Sequence, residues 1–107
     1  MNTSTALPIP LPMEAIRAFC QRWGARELAL FGSVLREDFR PDSDLDVLVT
    51  FAPGGSPSLF EFVEIADELE AILGRKVDLV TRGSVETSPN YLLRREVLET
   101  AQVIYAA

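Results

Sequence analysis

Apolar positions recur along the chain at two spacings, and the changes between them mark out its elements. From Pro12 onward, Ile16, Phe19, Cys20 and Trp23 fall on one stripe at helical spacing. Pro12 suits a first helical turn and Gly24 a stop. Glu27 to Phe31 reads as a short strand ending at Gly32, and Ser33 to Asp38 as a helical turn. Arg40-Pro41-Asp42-Ser43 is punctuated like a loop, because a residue before proline avoids the helical region. Leu45 to Phe51 is the strongest strand, and its run Val47-Leu48-Val49 predicts burial on both faces and a central place in a sheet. Ala52 to Ser58 holds two prolines and two glycines and reads as a connection. Ser56 or Ser58 can cap the helix that follows, and Ser58 with Glu61 has capping-box spacing. That helix carries an apolar stripe of Leu59, Phe62, Val63, Ala66, Leu69, Ile72 and Leu73, and stops at Gly74. Its acidic residues Glu61, Glu64, Asp67, Glu68 and Glu70 lie mostly off the stripe, as a solvated face or in part a partner surface. Lys76 to Thr81 is a third strand, with Val77 and Leu79 on one face and Asp78 and Val80 on the other. Gly83 to Pro89 reads as a loop. Tyr91 to Ala101 reads as a helix with Leu92, Leu93 and Val97 apolar and Arg94 and Arg95 exposed. Val103-Ile104-Tyr105 closes the chain as a short strand or as the end of that helix.

These elements predict an α/β (α+β) fold, a small mixed sheet of three to four strands with helices packed on it. Residues 1–12 carry three prolines and no basic n-region, so they read as an extended lead-in rather than a signal peptide, with residues 13–107 as a single domain. A chain that is 48% hydrophobic and 24% charged suits a globular protein and argues against disorder. The formal charge of −6, from 10 basic and 16 acidic residues, disfavours direct nucleic-acid binding over a broad surface. One cysteine, Cys20, and no histidine exclude an internal disulfide, a His-based triad and His-ligated zinc within the chain. Cys20 reads as a small buried hydrophobe. No apolar run reaches membrane-spanning length. A cytoplasmic, reducing setting is the expectation.

Candidate chemistry concentrates in Leu30-Phe31-Gly32-Ser33-Val34-Leu35-Arg36 and Ser43-Asp44-Leu45-Asp46-Val47. Asp44 and Asp46 are two apart on a strand, so both point to one face. A Gly-Ser turn after a buried strand can offer backbone N–H groups and a hydroxyl to a phosphate. Paired carboxylates beside a phosphate site suit Mg²⁺, which prefers hard oxygens and shares its shell with substrate phosphates. Asp78, inside the apolar run Val77-Asp78-Leu79-Val80, is in an expensive place for an unpaired carboxylate, and a cation shared with Asp44 and Asp46 would account for it. Such a triad can hold one or two Mg²⁺ ions, about 3.5–4 Å apart if two are present. Blander readings exist: Asp44 capping a turn, Asp46 as a strand-edge charge, Asp78 paired with a lysine or arginine, and Gly32-Ser33 as an ordinary turn. Asp42, Asp44 and Asp46 share the first spacings of a calcium loop, but Val47 and Pro53 stand where that loop needs Gly and Glu.

Taken together, Phe31-Gly32-Ser33, Arg36, Ser43-Asp44-Leu45-Asp46 and a later strand with Asp78 resemble the nucleotidyltransferase superfamily that includes DNA polymerase beta. The shortness of the chain is similar to the minimal nucleotidyltransferases, above all the MntA-type antitoxins encoded beside HEPN-domain ribonuclease toxins. The resemblance covers about Leu28 to Val80, with weaker support over Tyr91 to Tyr105. It implies Asp44, Asp46 and Asp78 as catalytic metal ligands, Gly32 and Ser33 as the phosphate-binding turn, and Ser43 as ordering that turn. Arg36 matches the family arginine and would contact the triphosphate or form a structural salt bridge. Leu35 and Glu37 depart from the family stretch, which has Ala and Gly at these positions around Arg36. The implied reaction is Mg²⁺-dependent transfer of AMP from ATP to a hydroxyl. The implied acceptor is a tyrosine of the cognate toxin, with oligomers open. The alternatives are a binding module that neutralises the toxin by covering it, and an enzyme for a small-molecule acceptor.

Overall fold

The computed structural model describes residues 10–35, 43–55 and 57–107. The expectations for residues 1–9, for the loop at Arg40 to Asp42, for the turn beyond Leu35 and for Ser56 as a cap therefore lie outside the described residues. Chain order is α1 (Met13–Trp23), β1 (Ala25–Phe31), a 3₁₀ turn (Gly32–Leu35), β2 (Leu45–Phe51), α2 (Leu59–Leu73), β3 (Val77–Thr81), α3 (Arg82–Glu86), α4 (Tyr91–Thr100) and β4 (Gln102–Ala106). No helix among the described residues is long and apolar enough to cross a membrane.

The four strands form one mixed sheet in the order β3-β2-β1-β4. β1 pairs antiparallel with both β2 and β4, and β2 pairs parallel with β3. A parallel partner needs a crossover, and α2 supplies it. β2 is thus central, and Val47, Leu48 and Val49 are all buried, as their apolar run predicts. The final segment resolves as strand: β4 takes the outer edge beside β1.

One face of the sheet packs Leu28, Leu30, Leu45, Val47, Val49, Val77 and Leu79 against Ile16, Phe19 and Cys20 of α1 and Ile65 and Leu69 of α2. Each such aliphatic side chain contributes about 1.5–3 kcal/mol on burial. The opposite face carries a smaller cluster, Ala29 and Leu48 with Val85 of α3 and Val97 of α4. Burial holds the Cys20 thiol up at about 11, as a packed hydrophobe rather than a reactive group.

Local signals set the helix ends. Gly24 and Gly74 adopt left-handed conformations, and their N–H groups return to Cys20 O and Glu70 O. Ser58 Oγ accepts from Glu61 N–H, and Glu61 Oε1 accepts from Ser58 N–H, completing the capping box.

Four expectations need correction. The stripe of α2 buries Ile65, whereas Leu59 and Val63 face solvent. The stretch after β3 is not wholly loop: Thr81 Oγ1 caps Ser84 N–H and starts the one-turn α3, anchored by buried Val85. On α4, Val97 is buried but Leu92 and Leu93 are exposed, while Arg94 is half-buried and donates to Ser88 O. The acidic residues of α2 are also not merely solvated. Glu68 accepts from Arg22 and from the Trp23 indole, tying α1 to α2, and Glu70 accepts from Val77 N–H.

Candidate functional site

The candidate residues meet where β1 ends and β2 and β3 begin. Phe31 pairs with Asp46 across the antiparallel ladder, so the chain leaves β1 into Gly32 directly beside Asp46. Asp46 in turn pairs with Asp78 across the parallel ladder. Register partners on parallel strands share a face and sit roughly 4.8 Å apart along the hydrogen-bonding direction. Asp46 and Asp78 therefore stand side by side on the face that carries Leu48 and Val80, away from α1 and α2. Asp44 lies one residue ahead of β2 rather than on the strand, and both it and Asp78 are exposed, so the apolar run around Asp78 imposes no burial cost on its carboxylate.

Two hydrogen bonds hold this end of the sheet in step. Leu45 N–H donates to Lys76 O at 2.9 Å, joining the starts of β2 and β3. Val77 N–H donates to Glu70 Oε2 at 3.0 Å, pinning the residue before Asp78 to α2. Slippage by one residue would turn Asp78 to the core face, which the burial of Val77 and Leu79 opposes.

Gly32 is required here on two counts. Its φ is +78°, which L side chains rarely adopt. A Cβ at this position would also overlap Asp46 Oδ2 and lie 3.1 Å from Asp46 Cγ. The turn and the carboxylate are thus packed against each other with no room for a side chain between them. Ser33 follows, half-buried, in the 3₁₀ turn, and Val34 anchors that turn in the main core. Ser43 is half-buried at the approach to Asp44. Arg36 and the Glu37 departure lie outside the described residues.

The donor set is all carboxylate oxygen, the chemistry that Mg²⁺ takes. Among the described residues, however, no group of three or more His, Cys, Asp or Glu side chains stands close enough to hold an ion. The backbone aligns Asp46 with Asp78, while the side chains of the three are not drawn into a cage. Like charges at neighbouring positions repel, and an aspartate can swing its carboxylate by rotation about one bond. The donor chemistry suits a hard cation, while the side chains as they stand do not form its site among the described residues.

Reasoning along the sequence missed the contribution of α4. Its last turn returns to Gly32, where Gly32, Leu35, Glu96 and Thr100 line a small cavity of about 270 Å³. Nothing in the local pattern of Tyr91 to Thr100 signals this, because it follows from how α3 and α4 lie over the sheet.

Known proteins match the chain along most of its length. The nucleotidyltransferase domain family matches residues 12–104. A protein adenylyltransferase MntA of Thermococcus cleftensis is 42% identical over 78 residues, covering 73% of this chain and 77% of that one. A solved structure described as a candidate minimal nucleotidyltransferase is 38% identical, with a TM-score of 0.62 over 86% of each chain. A toxin–antitoxin structure with AMP-PNP shares the fold at a TM-score of 0.67 and 21% identity, covering 91% of this chain and 75% of that one. With its Gly-Ser turn packed on an aspartate of a central strand and this match along most of its length, the chain belongs to the nucleotidyltransferase domain family and is a nucleotidyltransferase.

Proposed function

We propose that this enzyme transfers AMP from ATP to a tyrosine hydroxyl of a cognate HEPN-family ribonuclease toxin and so acts as its antitoxin in the cytoplasm. The observation that carries the reading is the contact of Gly32 with Asp46, with Asp78 in register beside it. A phosphate-binding turn is thereby held against a pair of carboxylates. The adenylyltransferase name of the Thermococcus relative supports the reaction, and the toxin–antitoxin neighbour with AMP-PNP supports partner and nucleotide.

In this reading Gly32 and Ser33 present N–H groups and a hydroxyl to the triphosphate, with Ser43 ordering the approach and Arg36 adding positive charge. Asp44 and Asp46, joined by Asp78, would hold Mg²⁺, one ion or two. The chemistry such an ion supplies is neutralisation of the triphosphate and polarisation of the α-phosphate. The acceptor oxygen attacks the α-phosphorus in line as the bond to the β-phosphate oxygen breaks. Pyrophosphate leaves with that electron pair, and Asp78 takes the hydroxyl proton. Positioning and electrostatics supply most of the acceleration, as in other phosphoryl transfers.

The test incubates the protein with Mg²⁺, ATP labelled at the α-phosphate and the co-encoded ribonuclease. Label on a ribonuclease tyrosine is expected, and both Asp44→Asn and Asp46→Asn should reduce it to background while circular dichroism stays native. Label on a small molecule instead, or none on the ribonuclease, would overturn the acceptor. Wild-type rates in either variant would remove that carboxylate from the mechanism.

A further inference from the structure

A second surface lies far from the carboxylates. Leu59 and Phe60, the first two residues of α2, are 78% and 84% exposed, and Val63, one turn on, is 52% exposed. Single exposed aliphatics are ordinary, but three large ones on adjacent turns are not. Beside them is an open groove of about 650 Å³, whose lining includes Phe51, Pro53, Pro57, Phe62 and Arg82. Ridge and groove together make an apolar relief that water does not favour.

The charge around this relief is mostly acidic, and Arg82 in the groove is paired with Glu27 and Glu86. α2 contains five acidic residues and no lysine or arginine. Glu64 and Asp67 are exposed and follow Phe60 and Val63 at steps of four, so they continue the same helix face. The face is therefore apolar at its N-terminal end and acidic along its length. A complementary surface has an apolar projection or hollow rimmed by lysine and arginine. A ribonuclease carries cationic surface to hold its polyanionic substrate, which is the sign of charge this face attracts. A nucleic acid itself is repelled.

We infer that the exposed face of α2 (Leu59, Phe60, Val63, Glu64 and Asp67) is where the ribonuclease partner docks, separately from the site of transfer. The inference rests on the functional reading above for the partner's identity. Topology supplies the separation. α2 begins after β2 ends, whereas the carboxylates sit where β2 begins and on the opposite face of the sheet. β2 has seven residues, which span roughly 20 Å. A partner seated on α2 leaves the carboxylates open.

The experiment compares the wild-type protein with L59S/F60S, E64K/D67K and Asp46→Asn against the same purified ribonuclease. It measures Kd by titration and AMP transfer at limiting and saturating ribonuclease. All substituted patch residues are exposed, so native circular dichroism is expected throughout. The two patch variants should bind at least about tenfold more weakly, raising KM for the ribonuclease with kcat unchanged. Asp46→Asn should bind normally and transfer nothing. Patch variants that bind at wild-type affinity overturn the docking site while leaving the transfer reading intact. A wild-type protein that dimerises through this face, with L59S/F60S monomeric by sedimentation, overturns it as well. A wild-type protein that binds the ribonuclease through the patch but never labels it overturns only the transfer reading and supports the docking site.

Discussion

Replacing Gly32 by alanine isolates the contact on which the site is built, because two other glycines act as references. Gly24 and Gly74 have φ of +71° and +72°, close to the +78° of Gly32, yet a Cβ on either would meet nothing within 4 Å. Gly24→Ala therefore measures backbone strain alone, about 1–2 kcal/mol for a non-glycine residue in the left-handed region. Gly32→Ala carries the same strain and in addition drives a methyl into the Asp46 carboxylate. Relief requires Asp46 to leave its rotamer or the turn to shift, adding about 0.5–1.5 kcal/mol. Urea unfolding should thus place Gly32→Ala about 1.5–3.5 kcal/mol below wild type and below both references, with an unchanged m-value. Transfer assays should divide the variants more sharply. Gly24→Ala and Gly74→Ala should keep wild-type transfer when folded, whereas Gly32→Ala should lose it, since the turn can no longer close on the carboxylate. If Gly32→Ala were no less stable than Gly24→Ala and transferred AMP normally, the turn and Asp46 would not form one unit, and the site as drawn here would be wrong.

Asp78→Asn should leave the fold intact or slightly more stable, by a few tenths of a kcal/mol, because one of two like charges in register is removed, while transfer falls; a urea titration beside a pyrophosphate-release assay reads both. Ser58→Ala removes one half of the capping box and should cost about 1 kcal/mol in urea without changing kcat. Cys20, held up at about 11 against an ordinary 9.0, stays protonated in the folded state while the unfolded thiol ionises. Its contribution to stability is therefore intact below pH 9 and declines as pH rises from 9 toward 11, which unfolding titrations of wild type and Cys20→Ala should show as a difference in slope over that window.

Local chemistry was legible along the chain. Gly24 and Gly74 as helix stops, Ser58 with Glu61 as a capping box and Leu45 to Phe51 as a buried strand all depend on hydrogen bonds and steric limits spanning a few residues. The alternation that sends Asp78 and Val80 to one face and Val77 and Leu79 to the other is equally local. Packing settled the rest. The apolar stripe of α2 includes Leu59 and Val63, yet the sheet meets the side of the helix that carries Ile65 and Leu69, so Leu59 and Val63 stay exposed. The return of α4 to Gly32, the alignment of Asp46 with Asp78 and the outer place of β4 depend on strand order, and strand order is chosen by long-range burial that no window of sequence contains.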